Sequence, residues 1–260
     1  MTQHETTRPA SLGIRIRSLV FFLLYNLMGI LHSLLCVSIG PLLSFERRYR
    51  FVNLWTIATL WLLRVLNGVH VRVEGRENLP AGAAVILANH QSSWETFYLQ
   101  LLISPQATVL KRELLWLPFF GWAVALLNPI RIDRSKGRAA LKAVLQQGGE
   151  RLSRGIAVVI YPEGSRQAPG RVGHFNHGGA LLACRNQSAD GKAIPLIAIS
   201  HNSGDCWPAR SWLRYPGEIV IRISPPFDTH NRQAKEVTAQ ARDWILDNYP
   251  GILITETPSQ

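Results

Sequence analysis

From Ser18 to Phe45 the chain carries no Asp, Glu, Lys or Arg, and this run constrains the fold more than any other feature. As an α-helix, Ser18 to Ile39 extends about 33 Å at ~1.5 Å per residue. That is enough to cross a hydrocarbon core of about 30 Å. A cleavable signal peptide fits poorly, because the run exceeds an ordinary h-region and no small-residue cleavage site closes it. A second apolar run, Phe51 to Leu63, is too short to span comfortably. Asn53, Thr56 and Thr59 recur at every third position in it, a polar stripe suited to a helix lying in the membrane interface. Trp55 and Trp61 suit the same depth.

The flanking charges set the orientation. Arg8, Arg15 and Arg17 precede the first run, and Arg47, Arg48 and Arg50 follow it. Basic flanks favour the cytoplasmic side, so both ends want the same side of the bilayer. The preferred layout is a helical hairpin over residues 18–66 that dips into one leaflet and returns; an ordinary transmembrane anchor is the alternative. The expected location is the cytoplasmic face of an inner (plasma) membrane.

Composition narrows the rest. Hydrophobic residues make up 47% and charged ones 17%, which excludes the disordered class. The net charge of +11 admits nucleic acid, an anionic membrane or a phosphorylated small molecule as partner. The basic residues are spread along the chain rather than gathered in a nucleic-acid motif, so no nucleic-acid partner is expected. Cys36, Cys184 and Cys206 are scattered and odd in number, which argues against a disulfide framework or a zinc site. His174-x-x-His177 lacks a completing ligand nearby, so no metal is expected.

After residue 66 the pattern changes to alternating strands and helices. Val69, Val71 and Val73 alternate with polar residues as in a half-buried strand. Strands are expected at 83–88, 108–110, 129–132, 156–161, 194–200 and 218–224, and helices at 92–103, 137–153, 178–185 and 235–249. This is an α/β domain with a central, mostly parallel or mixed sheet flanked by helices. The expected organisation is a basic N-terminal segment (1–17), a two-helix membrane-embedded segment (18–66), a catalytic domain (67–250) and a loose tail (251–260).

Asn89-His90-Gln91-Ser92-Ser93-Trp94-Glu95 follows a buried strand and opens a helix. On one continuous helix His90 and Glu95 would point about 140° apart. They meet only if His90 lies in the preceding turn and Glu95 in the first helical turn, with Ser92 as N-cap. Two readings stand side by side. Ser92-x-x-Glu95 is a capping box, in which Glu95 binds the Ser92 amide. Alternatively Glu95 holds the imidazole of His90 as a general base. Further on, Tyr161-Pro162-Glu163-Gly164-Ser165-Arg166 closes another strand. There Gly164 permits a tight turn and Arg166 is suited to gripping phosphate.

Asn-His-x4-acid placed after a strand resembles the catalytic motif of the 1-acyl-glycerol-3-phosphate acyltransferase (glycerolipid acyltransferase) family, with Glu95 where that family has Asp. Glu163 to Arg166 resembles its phosphate-binding motif. Lys111 through Pro118 and Gly121 to Ile132-Asp133-Arg134 resembles its second region, and Ile194 to Ile197 its apolar fourth motif. The resemblance covers residues 70–200. It implies that His90, steered by Glu95, deprotonates a lysophospholipid hydroxyl that attacks an acyl thioester. Asn89, Lys111, Arg134, Glu163, Gly164, Ser165 and Arg166 are the implied acceptor contacts. No cofactor is required; acyl-CoA or acyl carrier protein serves as co-substrate. The default acceptor is 1-acyl-glycerol-3-phosphate. Another lysophospholipid, an amino-acid lipid, simple lipid hydrolysis, or binding of anionic lipid without turnover are the alternatives.

Overall fold

The computed structural model describes residues 9–188 and 191–254; Arg8 and the end of the expected tail lie outside them. Two helices open the chain. Helix α1, Leu12–Ile39, is capped by the Ser11 hydroxyl, which accepts from the Ile14 amide. A 3-10 turn at Gly40–Leu42 leads into α2, Phe45–Asn67, which ends on Gly68 in the left-handed conformation. The helices run antiparallel: Tyr25 packs on Trp55 with ring centroids 5.0 Å apart, and His32 Nε2 meets the Phe51 carbonyl at 3.0 Å. Among the described residues only Leu12–Leu42 is long and apolar enough to cross a membrane. α2 carries Glu46, Arg47, Arg48, Arg50 and Arg64 and does not qualify, so the expectation of a two-helix membrane-embedded segment is corrected to one candidate helix.

The polar stripe of α2 faces the opposite way from a helix floating in an interface. Asn53, Thr56 and Thr59 are buried, while Leu54, Ile57, Trp61 and Val65 are more than half exposed. α1 likewise buries Ser18 and Ser33 while exposing Leu23, Leu27, Leu31 and Leu35. Both helices therefore turn small polar residues toward protein and aliphatic ones outward.

The remaining chain forms one seven-stranded sheet in the order β1-β7-β6-β2-β5-β3-β4. The strands are β1 (Val69–Glu74), β2 (Val85–Ala88), β3 (Gln106–Lys111), β4 (Ile130–Ile132), β5 (Ala157–Ile160), β6 (Leu196–His201) and β7 (Gly217–Ile223). Only β6 and β7 pair antiparallel; the rest are parallel. Strands β2, β5 and β6 are buried on both faces, as parallel strands covered by helices must be. The helices are α3 (Trp94–Leu102), α4 (Phe120–Ala125), α5 (Gly137–Leu152), α6 (Gly178–Cys184), α7 (Ser203–Cys206) and α8 (Ala234–Asp247).

The side chains of β2 alternate between two cores. Ile86 and Ala88 join Phe21, Leu62, Leu63, Trp94 and Phe97 from α1, α2 and α3. Val85 and Leu87 join Val144, Leu182, Val237 and Ile245 from α5, α6 and α8. The amino-terminal pair is thus a layer of the domain: Phe21 meets Trp207 edge-on, and Ser18 Oγ accepts from the Arg214 amide at 2.9 Å.

Candidate active site

In the parallel centre of the sheet, Leu87 stands opposite Ile160 and Ala88 opposite Ile199. The loops that follow β2, β5 and β6 therefore emerge at one edge, where ligands bind open α/β sheets. His90 lies in the loop after β2 and Glu95 in the first turn of α3. His90 Nδ1 is 2.7 Å from Glu95 Oε1. A carboxylate there fixes the proton on Nδ1 and leaves Nε2 as the basic nitrogen. The imidazole, 13% exposed, lines a cavity. Its face stacks on Tyr161 with centroids 4.3 Å apart.

Glu95 is fully buried and serves the backbone as well as the imidazole. Oε1 accepts from the amides of Gln91 and Ser92, both at 2.9 Å, and Oε2 accepts from Ser92 Oγ at 2.8 Å and Ser203 Oγ at 2.7 Å. The capping contact and the histidine contact hold at once, so the two sequence readings were not exclusive. The N-cap falls one residue later than expected, and α3 begins at Trp94 rather than Ser92. Ser93 is its N-cap without a side-chain bond, and Ser92 Oγ instead accepts from the Trp94 amide at 2.8 Å. Burial pushes the Glu95 carboxyl up, but the hydrogen bond from His90, electrostatic attraction from His201 and His90, and the Ser92 amide together outweigh it and bring its pKa to about 2.

Two of the expected acceptor contacts face inward instead. Asn89 is fully buried; its Nδ2 donates to the His201 carbonyl at 2.9 Å and its Oδ1 accepts from the His201 amide at 3.0 Å. Both ends of the amide are used in tying the β2 and β6 loops together. Glu163 accepts from the amides of His90 at 2.6 Å and Gly173 at 2.8 Å. A carboxylate would repel a phosphate, and here it satisfies two loop amides that have no ladder partner. Burial raises its pKa to about 7 against the pull of those amides. Gly164 adopts φ +72°, a conformation that suits glycine. Its carbonyl accepts from Arg134 Nη1.

The cationic candidates separate. Arg134 lines the same cavity as His90, and burial lowers its pKa. Arg166 is exposed and reaches Ser93 Oγ at 3.2 Å, beside the start of α3. Ser165 is exposed, with its hydroxyl 3.4 Å from Gln167 Nε2. Lys111 ends β3 on the surface, and its side chain makes no hydrogen bond or ion pair among the described residues. It stands opposite Ile132 in the sheet, two residues before Arg134. The rings of His174 and His177 lie 6.4 Å apart.

The cavity was not legible in the sequence. It holds about 1070 Å³ of empty space, its open mouth included, between α1, α2, α4 and the sheet. Apart from His90, Arg134 and Tyr161 its walls are mainly apolar: Val52, Trp55, Phe97, Val109, Leu114, Phe120, Ala123, Val124 and Leu127. Tyr161 and Ser203 are the functional-site residues that sequence reading passed over. Tyr161 follows a buried strand directly and so had to surface at the same edge as His90, a signal available once the two strands are taken as neighbours. Ser203, 108 residues from Glu95, left no local signal.

Comparison with known proteins adds independent findings. The family model described as acyltransferase matches residues 70–201. The chain is 42% identical over 236 residues to the 1-acyl-sn-glycerol-3-phosphate acyltransferase of Pseudomonas aeruginosa, covering 89% of this chain and 90% of that one. It is 28% identical over 248 residues to the enzyme of that name from Saccharomyces cerevisiae, covering 89% and 77%. Its fold superposes on the crystal structure of the 1-acyl-sn-glycerophosphate acyltransferase PlsC from Thermotoga maritima with a TM-score of 0.72. That match covers 89% of this chain and 92% of the other at 20% identity.

Proposed function

The chain belongs to the acyltransferase family, and on that footing we propose that it transfers a fatty acyl group from a thioester to the free hydroxyl of 1-acyl-glycerol-3-phosphate, giving phosphatidic acid. The observation that carries the reading is the His90–Glu95 pair, 2.7 Å apart, opening onto an apolar cavity that also holds Arg134. An apolar cavity with a few convergent polar groups at one end suits a fatty chain with its reacting carbonyl beside the base.

The acceptor hydroxyl gives its proton to His90 Nε2 as its oxygen attacks the thioester carbonyl. The C–O bond forms, the C–S bond breaks, and the imidazolium returns the proton to the departing thiolate. Glu95 keeps its charge and stabilises the transient imidazolium. Tyr161 holds the ring plane from one side. Arg134 and Arg166 hold the acceptor phosphate and with it the hydroxyl, which turns a two-body encounter into an oriented one. Lys111 supplies further positive charge at the same sheet edge. The donor is a thioester of coenzyme A or of acyl carrier protein.

Membrane attachment follows from the outward aliphatic faces of α1 and α2 and from the segment 114–122, where Trp116 is 79% exposed beside Leu114, Leu117 and Trp122. These surfaces, with arginines 15, 17, 47, 48 and 50 at the helix ends, suit the cytoplasmic face of an anionic bilayer. Leu114 and Phe120 are both exposed and line the cavity, so a chain entering from the lipid meets its wall directly.

His90→Ala is expected to abolish transfer while the chain stays folded by circular dichroism, with a lowered melting temperature because Glu95 loses the imidazole that helps hold it ionised. Assaying free thiol and acylated lipid together tests it. Near-normal lipid product would remove the base from His90; free thiol without lipid product would mean hydrolysis.

A further inference from the structure

The carboxylate of Glu95 accepts from five donor groups, and four of them come from its own neighbourhood: His90 Nδ1, the amides of Gln91 and Ser92, and Ser92 Oγ. These donors move with the loop and the start of α3. Ser203 Oγ, at 2.7 Å from Oε2, is the one donor among the described residues that belongs to another part of the chain. It opens α7, directly after β6, and is fully buried. Its position is itself fixed. Asn89 and His201 bond each other in both directions, Gly204 donates its amide to Gln91 Oε1 at 3.4 Å, and the Ser203 amide lies 3.4 Å from His201 Nδ1.

We propose that Ser203 is a positioning residue, which references the Glu95 carboxylate to the sheet through β6 and thereby fixes the direction of His90 Nε2, and that this contact makes glutamate the required length at the acid position. An aspartate is shorter by one methylene, about 1.5 Å. Kept on His90, its carboxylate would stand on the order of 4 Å from the serine hydroxyl. Kept on Ser203, it would leave the imidazole. Glutamate reaches both. The proposal rests on His90 acting as the base.

The test uses the full chain in lipid vesicles, with lysophosphatidic acid and a long-chain acyl-CoA. Ser203→Ala should lower kcat about tenfold, the size expected for one charge-assisted hydrogen bond to a group acting in the transition state, with both KM values unchanged. Ser203→Thr, which keeps the hydroxyl, should retain most of kcat. In a Glu95→Asp background, itself slower, Ser203→Ala should cost less than twofold further, because the shorter acid no longer reaches the serine. If alanine lowers the melting temperature, Ser203→Cys fills the space with a weaker donor and should show the same loss of kcat. A kcat within twofold of the parent for both alanine and cysteine overturns the proposal, and so does an equal loss in the glutamate and aspartate backgrounds. If His90→Ala abolishes transfer while the Ser203 variants are normal, only this inference fails; an active His90→Ala removes the reading beneath it.

Discussion

Glu95→Gln keeps the shape of the side chain and removes its charge, so it isolates what the buried carboxylate does. The parent carboxyl is brought down from an ordinary 4.5 to about 2, a difference worth about 3 kcal/mol in favour of the folded, ionised form at pH 7. A group whose folded pKa lies below its unfolded value contributes stability that is present above the unfolded pKa and is lost as pH falls toward the folded one. The contribution is therefore complete above about pH 5.5 and shrinks to about 1 kcal/mol at pH 3. Unfolding by denaturant in detergent, followed by tryptophan fluorescence, should place the glutamine variant about 3 kcal/mol below the parent at pH 7 and only about 1 kcal/mol below it at pH 3. Activity should fall further than stability suggests. A glutamine NH2 turned to Nδ1 makes that nitrogen an acceptor and moves the ring proton to Nε2, where it blocks proton uptake from the hydroxyl. A loss of about 10³-fold or more in kcat is expected from the wrong tautomer. An equal stability gap at pH 3 and pH 7 would show that the site does not depend on the charge, and would refute the reasoning.

Further outcomes follow from the cavity and the surface. Arg134→Ala should raise KM for lysophosphatidic acid at least tenfold with a smaller change in kcat; a fall in kcat alone would take the arginine out of acceptor binding. Ala123→Phe places a ring in the cavity wall and should move donor preference toward shorter acyl chains in a chain-length panel, and an unaltered profile would mean that the chain lies elsewhere. Trp116→Glu should weaken sedimentation with anionic vesicles several-fold while leaving the fold intact by circular dichroism; unchanged binding would place segment 114–122 away from the bilayer.

The α/β character, most element positions and the meeting of His90 with Glu95 were legible because each rests on short-range pattern: burial runs such as residues 83–88, helical periodicity at residues 235–249, and a five-residue spacing that allowed only one geometry. What was not legible depends on strand order. Asn89 and Glu163 are expected as acceptor contacts because the family resemblance implies it. Both turn inward because β2 lies between β5 and β6, which brings the His201 backbone and the loop amides of His90 and Gly173 within their reach. The cavity has the same origin: its walls come from α1, α2, α4 and β3, elements distant in sequence.

The polar stripe of α2 shows why periodicity alone gives a direction only when the solvent is known. Asn53, Thr56 and Thr59 share a helix face, and in water that face would point outward. In this chain it is the buried one, and Leu54, Ile57 and Trp61 are exposed. The stripe is buried where the helices meet through small or partly hydrogen-bonded residues: Asn53 Nδ2 donates to the Tyr49 carbonyl at 3.0 Å, Gly29 of α1 leaves room for the Trp55 ring, and Thr56 lines the cavity, while Asn53 Oδ1 and Thr59 Oγ1 have no partner among the described residues, a cost that the aliphatic face must outweigh. Exposing the aliphatic face to water would be costly, whereas against lipid it is not. A small polar interior and an aliphatic exterior in adjoining helices are the pattern of a surface solvated by hydrocarbon. The same inversion holds on α1, with Ser18 and Ser33 inward and Leu23, Leu27 and Leu31 outward. The cavity wall is formed partly by the inner side of these two helices, through His32, Ser33, Val52, Trp55 and Thr56.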